Sequence, residues 1–244
     1  MSDGPGDGGG PAACAPSGAR PAETSGGAAP PARRRGRPPR DAARLEEARD
    51  RLLRAGVAML TERGFGAVGL EEVLGTVGVP KGSFYHYFGS KSEFGLALID
   101  SYAAYFAAKL DRWFLDESRA PLDRLRAFVA DARAGMERFG FARGCLVGNL
   151  GQEIGALPEP FRARLSAVFA DWESRTARCL EAARAAGEIA PEADCRHLAR
   201  AFWIGWEGAV LRAKLERSAA PLDLYAETFF ALLAAGRAAA DQPS

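Results

Sequence analysis

From residue 42 onward, apolar positions recur with a period near 3.6, and no segment alternates convincingly with a period of two. The sequence therefore predicts a series of helices. Leu53, Val57 and Leu60 stand at i, i+4 and i+7, flanked by Leu45, Leu52, Gly56 and Met59, and the run stops at Gly64; this predicts a first helix over about 42–63. A short periodic piece from Leu70 to Val77 ends at Gly78, and a third opens at Pro80-Lys81 and runs to about Phe88. Both are too short to stand alone and must pack on the first helix.

Longer helical stretches follow from Ser90, separated at Pro121, Gly140 to Gly144, Pro158 to Pro160, Gly187 to Pro191 and Pro221. Over 161–183, Phe161, Leu165, Val168, Trp172, Cys179 and Ala183 share one stripe, with Arg, Glu and Asp opposite, as expected of a helix with one buried face. The stretches 193–216 and 221–239 differ. Leu198, Phe202, Gly205 and Ala209 mark one apolar face, Ile204, Gly208, Leu211 and Leu215 another; Leu222, Tyr225, Phe229 and Leu232 share the last helix with Phe230 and Leu233. Helices apolar on more than one side need a second cover, and a partner subunit supplies it.

Before residue 41 the pattern is absent. The first 40 residues include 9 Gly and 8 Pro and almost no large aliphatic side chain, so they cannot bury enough surface to offset their ordering entropy. We read 1–40 as a disordered tail whose end, 33–40, is a basic arm carrying Arg33, Arg34, Arg35, Arg37 and Arg40. The net charge of +1 would not suggest nucleic acid, but residues 33–100 hold 12 basic against 9 acidic groups, while 101–244 hold 19 of each. The basic excess sits beside the short helices. No apolar run spans a bilayer and no signal peptide opens the chain, so a cytoplasmic, nucleoid-associated protein without a membrane partner is expected. Cys14, Cys145, Cys179 and Cys195 are far apart and only His86 and His197 accompany them, which argues against a disulfide framework and against a metal site. No cofactor is expected.

The segment Leu70 to Phe88 has the outline of a helix-turn-helix: short helix, turn at Gly78, second short helix from Lys81. Phe84 and Phe88, at i and i+4, can face the core, leaving Lys81, Ser83, Tyr85, His86 and Tyr87 outside. A lysine, hydroxyls and an imidazole can bond phosphates and base edges in a major groove. A mere aromatic plug would leave Tyr85, His86 and Tyr87 exposed for no reason.

Val79-Pro80-Lys81-Gly82-Ser83-Phe84-Tyr85-His86-Tyr87-Phe88, followed by Ser90-Lys91, resembles the recognition region of TetR-family transcriptional repressors. The resemblance implies that Lys81, Gly82, Ser83, Tyr85, His86 and Tyr87 line the DNA side and that Lys91, opening the next helix, contacts a phosphate. It also implies an all-α homodimer, with an N-terminal three-helix DNA-binding domain over 41–89 and a C-terminal helical effector-binding and dimerisation domain over 90–244. One departure is Gly69-Leu70-Glu71, where many members place a threonine and a basic residue; a helix cap and a phosphate contact are then missing. Arg35-Gly36-Arg37-Pro38 resembles an AT-hook core, two arginines in a narrow minor groove, although a solvated charge run giving salt-dependent affinity fits the same residues.

Further on, Arg143-Gly144-Cys145-Leu146-Val147-Gly148-Asn149-Leu150 and Phe202-Trp203-Ile204-Gly205-Trp206-Glu207-Gly208-Ala209 are similar to the branch of that family that answers acrylate and electrophiles. That likeness implies a reactive cysteine at Cys145, a lysine working with it at Lys214, and release of a palindromic operator by a small unsaturated carboxylate or an electrophile. On chemical grounds, a thiolate adds to an activated alkene, and a nearby cation, Arg143 or Lys214, would lower the thiol pKa. For a small carboxylate, one cation and an apolar wall from Trp172, Phe202, Trp203 or Trp206 would suffice, with Asn149 beside them. An inert buried thiol and core-packed tryptophans are the plain readings of the same residues. Cys179 lies on a core stripe, and His197 is read as a surface or interface residue.

An enzyme is not expected. Gly148-Asn149-Leu150-Gly151 follows no predicted strand, and a Cys145–His197 dyad would lack an orienting group and an oxyanion hole. An architectural DNA-binding protein without a ligand is the remaining alternative, set against about 140 C-terminal residues that DNA binding alone does not require.

Overall fold

The computed structural model describes residues 40–240, which contain nine α-helices and one 3-10 turn and fold around a continuous core. The helices are α1 (Arg40–Arg63), α2 (Leu70–Val77), α3 (Lys81–Phe84), α4 (Lys91–Phe114), α5 (Pro121–Arg138), α6 (Leu146–Gln152), α7 (Glu159–Ala185), α8 (Cys195–Glu216) and α9 (Ala220–Ala240). The all-helical expectation holds. The basic arm up to residue 39, Arg35 and Arg37 included, lies outside the described residues, and its last arginine, Arg40, opens α1.

Local chemistry sets the helix ends. Gly78 closes α2 in the left-handed region, φ 66°, where a side chain would be strained, and its N–H reaches back to the carbonyls of Gly75 and Leu74. Ser90 caps α4 by accepting from Glu93 N at 3.0 Å, while the Glu93 carboxylate accepts from Gly89 N at 2.8 Å, a reciprocal cap. Asp194 caps α8 on the N–H groups of Arg196 and His197. At α2 the cap residue is Gly69 with no side-chain bond, so the cap that the sequence lacks is indeed missing.

One boundary differs from expectation. Regular helix α3 ends at Phe84, not Phe88; Tyr85 to Tyr87 continue as a tight turn with bonds from His86 N to Ser83 O and from Tyr87 N to Phe84 O. Burying both Phe84 and Phe88 (0% and 4% exposed) against Phe94, whose ring centroid lies 4.8 Å from that of Phe88, holds this tighter path without a long helix.

The body is built on α4, α7, α8 and α9. Phe161, Leu165, Val168, Trp172, Cys179 and Ala183 are all buried, as their stripe predicts. The Trp172 ring lies tilted against Phe106, centroids 4.4 Å apart, and against Trp203 at 4.9 Å, and Phe202 lies parallel to Trp206. Such aromatics carry much of the buried apolar area in a core of this kind. On α8 the second apolar face stays uncovered: Ile204, Leu211 and Leu215 are exposed, and so are Leu224 and Leu232 on α9.

Candidate functional site

The short helices present a polar surface. With Phe84 and Phe88 turned inward, Lys81, Gly82, Tyr85 and His86 are exposed, and Ser83 and Tyr87 half-buried. Lys81 pairs at 2.7 Å with Glu71 of α2, an exposed ion pair that is weak in water and readily exchanged for a phosphate. Lys91, the expected phosphate contact, also has a place in the fold. Its ammonium donates to the carbonyls of Val68 (2.8 Å) and Phe65 (3.3 Å) and stands 4.6 Å from the Phe65 ring centroid, so it braces the loop between α1 and α2.

Behind this unit a cavity of about 500 Å³ opens between α1, α4, α5, α8 and the loop before α6. Its walls are apolar over Val57, Phe106, Met136, Phe139, Trp206 and Val210, with Arg54, Lys109 and Arg143 as cations. The size is that of a small-molecule pocket. Lys109 is paired with Asp131 at 2.8 Å, and the Arg143 guanidinium sits over the Phe139 ring, 4.3 Å from its centroid.

One end of the cavity gathers Tyr102, Cys145 and Glu207. Cys145 is 7% exposed, and its sulfur caps α6 by accepting from Gly148 N at 3.4 Å. Burial first, and then the Glu207 charge, push its thiol well above the ordinary range. This differs from the expected electrostatics, since the charged group acting on the thiol is a carboxyl and not a cation. Glu207 is pushed up to about 7 by burial, with the neighbouring Cys145 thiol opposing, and forms no ion pair among the described residues. Burial, then Cys145 and Glu207, also hold the Tyr102 hydroxyl neutral. A side chain at position 148 would run into the Glu207 carboxyl, so glycine there permits the close approach.

Lys214 and Asn149 serve elsewhere. Lys214 donates to the carbonyls of Thr61 (3.2 Å) and Glu62 (3.1 Å) and contacts Asn149 Oδ1 at 3.4 Å; Asn149 Nδ2 donates to the carbonyls of Leu60 and Thr61, both at 2.9 Å. Gly144 N also donates to Thr61 O, and the Glu153 carboxylate accepts from Phe65 N (2.9 Å) and Gly66 N (2.7 Å). These bonds satisfy carbonyls that a helix end leaves without partners and fix the loop leading into α2. Neither Lys214 nor Asn149 lines the cavity.

Of the tryptophans, only Trp206 does. Trp172 and Trp203 are sealed in the core (0% and 1% exposed), the latter donating to Thr176 Oγ1 at 2.9 Å, because α7 and α8 meet along that stripe. Trp203 touches only a separate shallow cleft on the far side of Glu207. The sequence reading missed Tyr102, Phe106, Lys109, Arg54 and Glu207. Glu207 alone left a signal, being the one acid between Cys195 and Val210.

A helix-turn-helix with an exposed polar reading face, set on a helical body, defines a DNA-binding transcriptional regulator. The chain belongs to the TetR family of bacterial regulatory proteins. Residues 52–98 match the family of bacterial regulatory proteins named for tetR, and 121–229 match the tetracyclin repressor-like C-terminal domain. The chain is 56% identical over 196 residues to the transcriptional regulator AcuR of Cereibacter sphaeroides, covering 80% of this chain and 89% of that one. It is 31% identical to the repressor NemR of Escherichia coli K12, covering 72% and 89%. Among solved structures, a regulatory protein TetR from Rhodobacter sphaeroides superposes with a TM-score of 0.74 at 56% identity, covering 75% of this chain and 97% of that one. Reduced E. coli NemR superposes with a TM-score of 0.70 at 30% identity, covering 75% and 95%. Among the described residues no helix is long and apolar enough to cross a membrane, and no cluster of His, Cys, Asp or Glu could hold a metal ion.

Proposed function

We propose that this chain is a homodimeric repressor that binds an approximately palindromic operator through residues 41–89 and is released when a small α,β-unsaturated carboxylate or electrophile enters the cavity between α1, α4, α5 and α8. The observation that carries this reading is the double role of one short helix. Cys145, in the cavity wall, caps α6, and four residues later Asn149 of the same helix grips the end of α1. A ligand that displaces Cys145 therefore pulls on the loop that aims α2 and α3. Lys81, Gly82, Ser83, Tyr85, His86 and Tyr87 are the proposed DNA contacts. The exposed Ile204, Leu211 and Leu215 of α8, with Leu224 and Leu232 of α9, support a second copy as partner, which sets two recognition helices about 34–36 Å apart.

The relatives AcuR, a transcriptional regulator, and NemR, a transcriptional repressor, support a repressor, and the thiol in the cavity wall supports an electrophile as effector. Operator release and intact mass, followed for wild type and Cys145→Ser after exposure to acrylate and to a neutral enone, test it. Adduct on Cys145 with release only in wild type supports covalent sensing; release of both proteins by acrylate without mass change supports reversible carboxylate binding; no release by any probe overturns the effector reading.

A further inference from the structure

We propose that Glu207 is the base that takes the Cys145 proton when the thiol adds to an α,β-unsaturated carbonyl compound, and the acid that then delivers that proton to the α-carbon. The problem it solves is set by the site. A buried thiol whose pKa no cation in the cavity wall lowers rests as S–H, because a lone thiolate there would bear the full cost of desolvation. Its reactivity then depends on a base present at the moment of attack.

The charged groups around the thiol narrow the choice. From α1 the cavity receives Arg54, from α4 Tyr102 and Lys109, from the loop before α6 Arg143, and from α8 Glu207. Lys109 is taken by Asp131, and Lys214 by the carbonyls of Thr61 and Glu62. Tyr102 is held neutral. On its other side Glu207 borders the cleft that holds Glu173 and Arg200, and it pairs with neither within salt-bridge distance. Glu207 is thus the carboxyl that lines the cavity beside the thiol: its Oε2 crowds the place where a Cβ on Gly148 would stand, and Gly148 N is the donor to the Cys145 sulfur.

The step balances without an oxidant. The thiol proton moves to a Glu207 oxygen as sulfur bonds to the β-carbon, and the alkene π pair shifts to give an enolate. The α-carbon of that enolate takes the proton back, leaving a thioether and regenerating the carboxylate. With a neutral enone or amide as substrate, a single negative charge passes from carboxylate to substrate and returns, so the site never holds two. Burial that places the carboxyl near 7 leaves a fair fraction ionised, and so able to act as base, at neutral pH.

This inference rests on the proposed effector cavity but fails separately from it. The test is the rate of Cys145 alkylation by acrylamide, a neutral unsaturated amide, followed on the full chain by intact mass and peptide mapping, in wild type, Glu207→Gln and Glu207→Asp across a pH series. Wild type is expected to gain rate through a midpoint near 7 and then level off, and Glu207→Gln to react on the order of 100-fold more slowly with a rate that keeps rising into alkali. Equal rates and profiles in wild type and Glu207→Gln would overturn the proposal, as would absence of any Cys145 adduct in wild type, an outcome that leaves a reversible repressor intact. Thermal melts check folding. Should the Gln variant not fold, Glu207→Asp decides: a slower reaction that keeps a near-neutral midpoint supports the proposal, and a rate and profile equal to wild type overturn it.

Discussion

The Lys214 ammonium reaches the carbonyls of Thr61 and Glu62, 153 and 152 residues away in sequence, and so ties the end of α8 to the end of the helix that leads into the DNA-reading unit. Burial lowers the Lys214 pKa, with Glu62 opposing. Lys214→Met keeps the stem against Gly144 and removes the donors. We expect a stability loss of about 1–2 kcal/mol, or roughly 2–8 °C in Tm for a chain of this size. Acrylate should also become several-fold less effective in releasing operator, since the link is loosened. Release at unchanged acrylate concentration would show that the signal takes another route.

Glu153 holds the same loop from below, accepting from two backbone N–H groups. Glu153→Gln can accept only one of those bonds with its single carbonyl oxygen and loses the charge, at a cost of about 1–2 kcal/mol. Operator affinity should fall with it, because the loop sets the entry into α2. Chemical denaturation and a gel shift on the same preparation check both halves.

Two substitutions on the reading face separate contact from support. Tyr85→Phe removes an exposed hydroxyl and should weaken operator binding with no change in Tm. Lys91→Ala removes the donor to Val68 and Phe65 and should lower both operator affinity and Tm. A lower affinity for Lys91→Ala at unchanged Tm would make Lys91 a phosphate contact alone.

The Glu207 carboxyl also writes a pH signature. Its folded pKa of about 7 lies above the ordinary carboxyl value of 4.5, so from about 4.5 upward the unfolded chain releases a proton that the folded chain keeps, and stability falls as pH rises until about 7. The loss is at most on the order of 3 kcal/mol. Glu207→Gln should flatten that portion of the stability curve, as measured by urea denaturation at about pH 5 and about pH 7.5; an unchanged slope would contradict the burial of the charge.

Much of the fold was legible in the sequence because helix periodicity is local. The i, i+4 spacing of Phe84 and Phe88 predicts their burial, Gly78 predicts the turn, and the second apolar face of α8 predicts the exposed Ile204, Leu211 and Leu215. The cavity was not legible. Its walls come from five separate stretches of chain, and periodicity cannot tell which side of a helix meets a void. Trp172, Trp203 and Trp206 are alike in sequence, yet only the last borders the cavity. Lys214 and Asn149 share the neighbourhood of Cys145, but unsatisfied carbonyls at the end of α1 claim both, a demand visible only once the helices are assembled. Glu207 escaped notice because a lone acid in an apolar helix face ordinarily points to water.

The central claim is that cavity and operator are linked through α6 and the end of α1. Linkage requires that operator weaken effector binding by the same factor by which effector weakens operator binding. The most direct measurement is calorimetric titration of acrylate into the full chain with and without saturating operator, using Cys145→Ser so that binding stays reversible. Acrylate should bind at least about fivefold more weakly to the operator complex, consistent with a coupling of about 1 kcal/mol or more. Equal affinities in the two titrations would contradict the account.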